Sequence, residues 1–223
     1  CRFGLPLQLQ TVIAAIYTER VFVVSDAGST SNVRQQRSGI CQGCPLSPFL
    51  FVMVMTVIMH DAVEKLGPAA AEAYRAHTLF DVLYADDTLI LGSSPANVAN
   101  FAEAVEKIGA TYGMALHWDK TQAMAICSES PILKADGTAM PQSSSLKYLG
   151  STIDAHGRLD SEVSRKLGLA KADFLSLSKL WGHANVPIKD KLHYFEALVM
   201  SRLRYGLSSV WLVTSQRRRL DGF

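Results

Sequence analysis

Two short apolar runs, Leu79 to Tyr84 and Thr88 to Leu91, are separated only by Ala85-Asp86-Asp87. Aromatic and β-branched residues favour strands, and three residues leave room only for a tight reversal, so the stretch is predicted to be a β-hairpin with two carboxylates at its tip. Adjacent carboxylates between apolar strands repel one another and lose hydration, and a divalent cation relieves both costs. Hard oxygen donors with open positions suit Mg²⁺, which keeps several waters and completes its shell from substrate phosphates. The same pair can also do no more than solvate a hairpin tip.

The elements around this hairpin are read from hydrophobic period. Leu9, Val12, Ile13 and Ile16 are at helical spacing, Val21 to Val24 reads as a strand, and a turn at Gly28 to Asn32 returns the chain along Val33 to Ser38. Ser47-Pro48 is a cap followed by proline at the first helical position, opening an apolar helix over residues 48–65 that Gly67-Pro68 closes. So apolar a helix is expected to be buried on most sides. Ser94-Pro95 repeats the signal for a half-buried helix over 95–112, ended by Gly113. Leu116 to Ile126 and Ser145 to Ile153 read as strands. Beyond Asp160 the period turns helical, with a further helix from Pro187, which places a domain boundary near residues 154–160.

Composition narrows the class. The chain has 223 residues, 48% hydrophobic and 19% charged, with a formal net charge of +2, which suits one large globular domain or two small ones. Its longest apolar run, Phe49 to Met59, is shorter than the roughly 20 residues of a membrane span, so no membrane partner is expected. Four cysteines are too few for a disulfide scaffold, and neither a signal peptide nor a glycosylation sequon occurs. The expected location is intracellular, nuclear or cytoplasmic. An opening on Cys1 rather than Met suggests an excerpt of a longer polypeptide. Residues 65–125 carry a net −3 and residues 126–223 a net +5. An acidic middle before a basic end fits a metal site beside a nucleic-acid surface, although solvated helices alone account for Lys and Arg.

A second candidate site is Gly39-Ile40-Cys41-Gln42-Gly43-Cys44-Pro45-Leu46-Ser47-Pro48, a loop leading into a helix N-terminus, where backbone N–H groups can approach an anion. With Tyr84-Ala85-Asp86-Asp87 behind it, the order resembles the reverse transcriptases of non-LTR retrotransposons, in their Gly-Val-Arg-Gln-Gly-Cys-Pro-Leu-Ser-Pro block and their Tyr/Phe-Ala-Asp-Asp box. Three further blocks follow in order: Gly113 to Met124 with Leu116, Lys120 and Thr121; Leu146 to Gly150; and Arg202 to Gly206 with Trp211. The resemblance runs from residue 3 to residue 223.

What this resemblance implies is an α+β polymerase palm over residues 1–155. Its central antiparallel sheet is backed by the helices at 48–65 and 95–112, and a helical thumb segment follows over 156–223. The implied function is RNA-directed DNA synthesis by two-metal nucleotidyl transfer to a primer 3′-hydroxyl, with Mg²⁺ or else Mn²⁺ as cofactor. An RNA template, a DNA primer and deoxynucleoside triphosphates are the implied partners, along with the remaining parts of a larger retroelement polyprotein. Asp86 is the implied metal ligand, and Asp87 supports the metal or a primer contact. Tyr84 and Ala85 line the floor under the primer end, Gln42 and Gly43 contact the nascent pair or template, and Lys120 donates a proton or stabilises the leaving phosphates.

Departures from the family pattern qualify this. Cys41 stands where Arg is common, His117-Trp118 replaces a more usual Asn and small polar residue, and Gln122 replaces a frequent acid. The family's fingers and first catalytic aspartate lie upstream of the Gly-Leu-Pro at Gly4 to Pro6, and neither Asp26 nor Asp81 has the strand-to-helix context to replace that aspartate. The chain alone is therefore expected to be inactive. A decayed remnant that binds nucleic acid without catalysis is the alternative. A third reading takes Cys41-x-x-Cys44 as half a zinc site or a redox pair, although the loop resemblance accounts for the same spacing.

Overall fold

The computed structural model describes residues 2–41, 43–128, 130–134 and 136–223. The chain divides into two compact units, residues 1–61 with 82–89, and residues 62–81 with 90–223.

The first unit opens with α1 (Leu7–Tyr17), as the helical spacing predicts. Two nested ribbons follow: β1 (Val21–Phe22) pairs antiparallel with β4 (Arg34–Gln35), and inside them β2 (Ser25–Asp26) pairs with β3 (Ser29–Thr30). The reversal falls at Ala27-Gly28, both at positive φ, as a two-residue hairpin turn requires. Next comes α2 (Ser47–Glu64), where Ser-Pro announces it. Its expected burial on most sides does not hold. Phe49 and Val52 are 70% and 55% exposed, and the fully buried positions are Ser47, Ile58, Met59 and Ala62. The ribbons are two residues per strand and wholly exposed, so they form no layer thick enough to cover a second face. With 18 residues and a mean hydropathy of 1.4, α2 is long and apolar enough by length and composition alone to cross a membrane.

In the second unit, Gly67-Pro68 does more than end a helix: it opens α3 (Pro68–Arg75). Proline at the first helical position needs no N–H, and the Gly67 N–H donates to Asn100 Oδ1 at 3.0 Å. The hairpin strands β5 (Leu79–Tyr84) and β6 (Asp87–Gly92), whose residues 82–89 belong to the first unit, lead into α4 (Pro95–Thr111). Leu79 and Phe101 are fully buried, and Tyr74 meets Phe101 edge-on at 5.6 Å. Gly92 is required at the strand-to-helix corner, because a Cβ there would lie 2.8 Å from Val98 and 2.9 Å from Leu79.

Residues 116–126 are not a strand. A 3₁₀ turn at Trp118–Lys120 interrupts them, leaving a single bridge between Ala123 and Gln142. Two bonds hold the turn: the Trp118 indole donates to Glu106 Oε1 on α4 at 2.6 Å, and the Lys120 N–H donates back to the His117 carbonyl. The expected central antiparallel sheet does not form among the described residues, where strands pair only two by two. A sheet widens only where a neighbouring strand offers its backbone groups, and among the described residues no third strand pairs with the β5–β6 hairpin.

Ser145 to Ile153 is likewise a hairpin rather than one strand. β7 (Ser145–Tyr148) pairs with β8 (Ser151–Asp154) around Leu149-Gly150, both at positive φ. Helices complete the unit: α5 (Asp160–Ser176), α6 (Ser178–Gly182), α7 (Ile188–Tyr194), a π-helical segment Phe195–Met200, α8 (Ser201–Arg204) and α9 (Thr214–Asp221). Ala170, Val199 and Leu203 are buried among them, flanked by Leu167, Trp181 and Phe195.

Candidate active site

The Asp-Asp pair is at the end of the β5–β6 hairpin. Ala85 and Asp86 make the turn, Asp87 starts β6, and Ala85 is held at φ 54° in the left-handed region that disfavours a Cβ. Strain of this kind, typically of order 1–3 kcal/mol, often marks functional turns. At the base of the hairpin Asp81 accepts a hydrogen bond from the Tyr74 hydroxyl at 3.1 Å, and burial together with that carboxylate pushes the Tyr74 hydroxyl pKa up. At the tip, Tyr84 is 63% exposed, and Ala85, Asp86 and Asp87 are exposed with it. Among the described residues neither tip carboxylate takes a hydrogen bond or an ion pair. Solvent, not the apolar strands, surrounds the pair, so the desolvation cost inferred from the sequence is absent.

The loop before α2 is also ordered by backbone. Gly39 and Gly43 adopt φ of 79° and 81°, and the Cys44 N–H donates to the Cys41 carbonyl at 3.3 Å. Ser47 begins the helix, but its hydroxyl turns back to donate to the Cys41 carbonyl at 2.7 Å and meets the Tyr17 hydroxyl at 3.2 Å. Gln42 lies outside the described residues. Lys120, exposed on its 3₁₀ turn, belongs to the second unit, whereas Asp86, Asp87, Tyr84, Ala85 and Gly43 belong to the first.

Two features here add to the residues singled out from the sequence. Arg20, whose guanidinium rests 4.9 Å from the Tyr17 ring centre, adds positive charge beside Cys44. His60, Asp61 and Glu64 share one face of α2 with possible ligand atoms within 4.8 Å of one another, and Arg2 grips Asp61 with two hydrogen bonds. The spacing of His60, Asp61 and Glu64 was available as a helical signal; the pairing of residues 20 and 44 had none.

Residues 2–153 match the family described as reverse transcriptase (RNA-dependent DNA polymerase). The chain belongs to that family. It is also 26% identical over 223 residues to the "Retrovirus-related Pol polyprotein from type-1 retrotransposable element R2" of Popillia japonica, an alignment covering 93% of this chain. The chain spans 34% of that relative's length. The resemblance to non-LTR retrotransposon reverse transcriptases drawn from the five sequence blocks is thereby borne out, and with it membership of an enzyme family that copies RNA into DNA on a primed template. Family members use divalent metal ions, and the Asp86-Asp87 turn falls inside the matched residues.

Proposed function

We propose that this chain supplies the palm, over residues 1–155, and a helical thumb segment, over residues 156–223, of an RNA-directed DNA polymerase within a larger retroelement polyprotein. The observation that carries this reading is the Asp86-Asp87 pair, exposed and unengaged at a strained two-residue turn inside the residues that match the family. Two hard-oxygen donors with no protein partner among the described residues suit Mg²⁺, or Mn²⁺, which takes its remaining ligands from water and triphosphate. Asp86 and Asp87 would hold such an ion, which would supply Lewis-acid polarisation of the phosphoryl transfer.

The residues then divide the work. Asp86 holds the metal, and Asp87 completes that ligand set or contacts the primer. Tyr84 and Ala85, flat and small, lie under the primer end, and Ala85 leaves the duplex room. Gln42 and Gly43 meet the nascent base pair from the loop, where Gly43 lets backbone come close. Lys120 places its ammonium by the leaving phosphates and stabilises their charge.

The test is primer extension on a primed RNA template by the polyprotein that contains this chain, with Mg²⁺ and four deoxynucleotides. Asp86→Asn preserves shape and removes the charge, and is expected to cut extension by about a thousandfold or more. Extension at the wild-type rate by that variant overturns the assignment.

A further inference from the structure

Cys41 and Cys44 flank a single turn at the N-terminus of α2. The Cys44 N–H to Cys41 carbonyl bond closes that turn, and a turn so closed holds its end Cα atoms within roughly 7 Å, the range over which disulfides form. Both thiols are free and half-buried. The Leu46 N–H donates toward the Cys44 sulfur and is the main force holding this thiol below its ordinary range. Burial opposes it, while the Ser47 hydroxyl, the Ser47 N–H and the Arg20 charge assist.

A second observation is independent of the thiols. Among the described residues Arg20 Nη1 is buried without a hydrogen-bond partner. A buried guanidinium N–H without a partner is costly, and the Arg20 charge is one of those that favour the Cys44 thiolate.

We propose that Cys41 and Cys44 form an oxidative modification site, a dithiol that a peroxide converts to an intramolecular disulfide. The Cys44 thiolate attacks one peroxide oxygen, the O–O bond breaks, and the departing hydroxide becomes water, leaving Cys44 as a sulfenic acid. Cys41 then gives up its proton and attacks the Cys44 sulfur. The S–S bond forms and the S–O bond breaks, releasing a second water. One hydrogen peroxide is thus reduced to two waters while two thiols lose two electrons and two protons. Cys44 is the attacking residue because its thiolate is the stabilised one. The site stands on loop geometry and does not depend on the polymerase reading.

The experiment exposes the reduced 223-residue chain to one equivalent of hydrogen peroxide, quenches with an alkylating agent and maps the peptides by mass. The expected product is a Cys41–Cys44 cross-link, formed about tenfold faster than the exposed Cys127 is oxidised and reversed by dithiothreitol. Cys41→Ser is expected to stop at a Cys44 sulfenic acid that dimedone traps. Oxidation of Cys127 ahead of the pair, or a disulfide joining Cys41 or Cys44 to any other cysteine, overturns the proposal. A measurement on the unmutated chain guards against a misfolded variant: iodoacetamide should label Cys44 before Cys127, and the reverse order also overturns it.

Discussion

The two longer hairpins have the same plan and opposite treatment of their tips. Each reverses through two residues, with a non-glycine at positive φ first, Ala85 in one and Leu149 in the other. The Ala85-Asp86 tip is exposed, and among the described residues neither Asp86 nor the adjoining Asp87 takes a partner. The Leu149-Gly150 tip is held by its surroundings. The Tyr205 hydroxyl donates to the Leu149 carbonyl at 2.9 Å and Arg165 donates to the Gly150 carbonyl at 2.8 Å. Glu162, 4% exposed, accepts the Thr152 N–H and two bonds from Arg165, and the Lys166 ammonium lies 4.7 Å from the Tyr205 ring centre. A tip whose backbone acceptors are all used serves as a joint between segments distant in sequence. A tip left unengaged presents its side chains to solvent.

If that contrast holds, mutations should separate activity from stability. The largest effect is at the open tip. Asp86→Asn should abolish primer extension yet leave the thermal midpoint of the chain within about 1 °C, since an exposed, unpaired side chain contributes little to folding. A large drop in midpoint would mean the tip is a structural element after all.

At the engaged tip, Glu162→Gln should cost about 3 kcal/mol in a denaturant titration, because it strips the buried Lys166 of its counter-charge. The same group fixes a pH dependence. Burial raises the Glu162 carboxyl, but the Arg165 and Thr152 hydrogen bonds outweigh it and hold it below the usual range. A depressed carboxylate stabilises the fold above its unfolded pKa of about 4.3, and that contribution is lost as pH falls through the folded value. Wild-type stability should therefore decline below about pH 4 more steeply than that of Glu162→Gln, and parallel curves would refute the coupling.

Tyr205→Phe removes one hydroxyl from the same joint and should cost about 1 kcal/mol. The smallest effect returns to the open hairpin. Ala85→Gly relieves the left-handed strain but loosens the unfolded chain, so stability should rise by no more than about 1 kcal/mol, as thermal unfolding would record. A loss instead would show that the Ala85 methyl packs against something.

The elements that could be read from the sequence were those specified locally. Proline at the first helical position located α2 and α4, and the Asp-Asp break between apolar runs located the β5–β6 hairpin. What escaped was decided by partners far along the chain. Trp118 turned a strand-like stretch into a 3₁₀ turn by reaching Glu106, and the exposure of Phe49 and Val52 on α2 depended on how little the flanking ribbons cover. At the candidate site, the motif residues Asp86 and Asp87 were visible as a spacing. The charge of Arg20 beside Cys44 was not, because nothing in a linear chain marks two residues 24 positions apart as neighbours.

From Ile188 to Arg204 the helix runs without a break, yet its middle, Phe195–Met200, is π-helical. A π segment accommodates an extra residue without advancing the helix by a full α-helical step, and each residue in an α-helix accounts for about 100° of rotation. The segment therefore acts as a phase correction between the two ends. It sets the azimuth at which Leu203 enters the core beside Val199 while Arg202 reaches Asp173 at 2.6 Å. Deleting one residue between 195 and 200 would take out that extra residue and leave a regular helix with Leu203 and Tyr205 still in phase, whereas deleting one from the α-helical turns before it would rotate Leu203 toward water and Tyr205 away from the hairpin it holds.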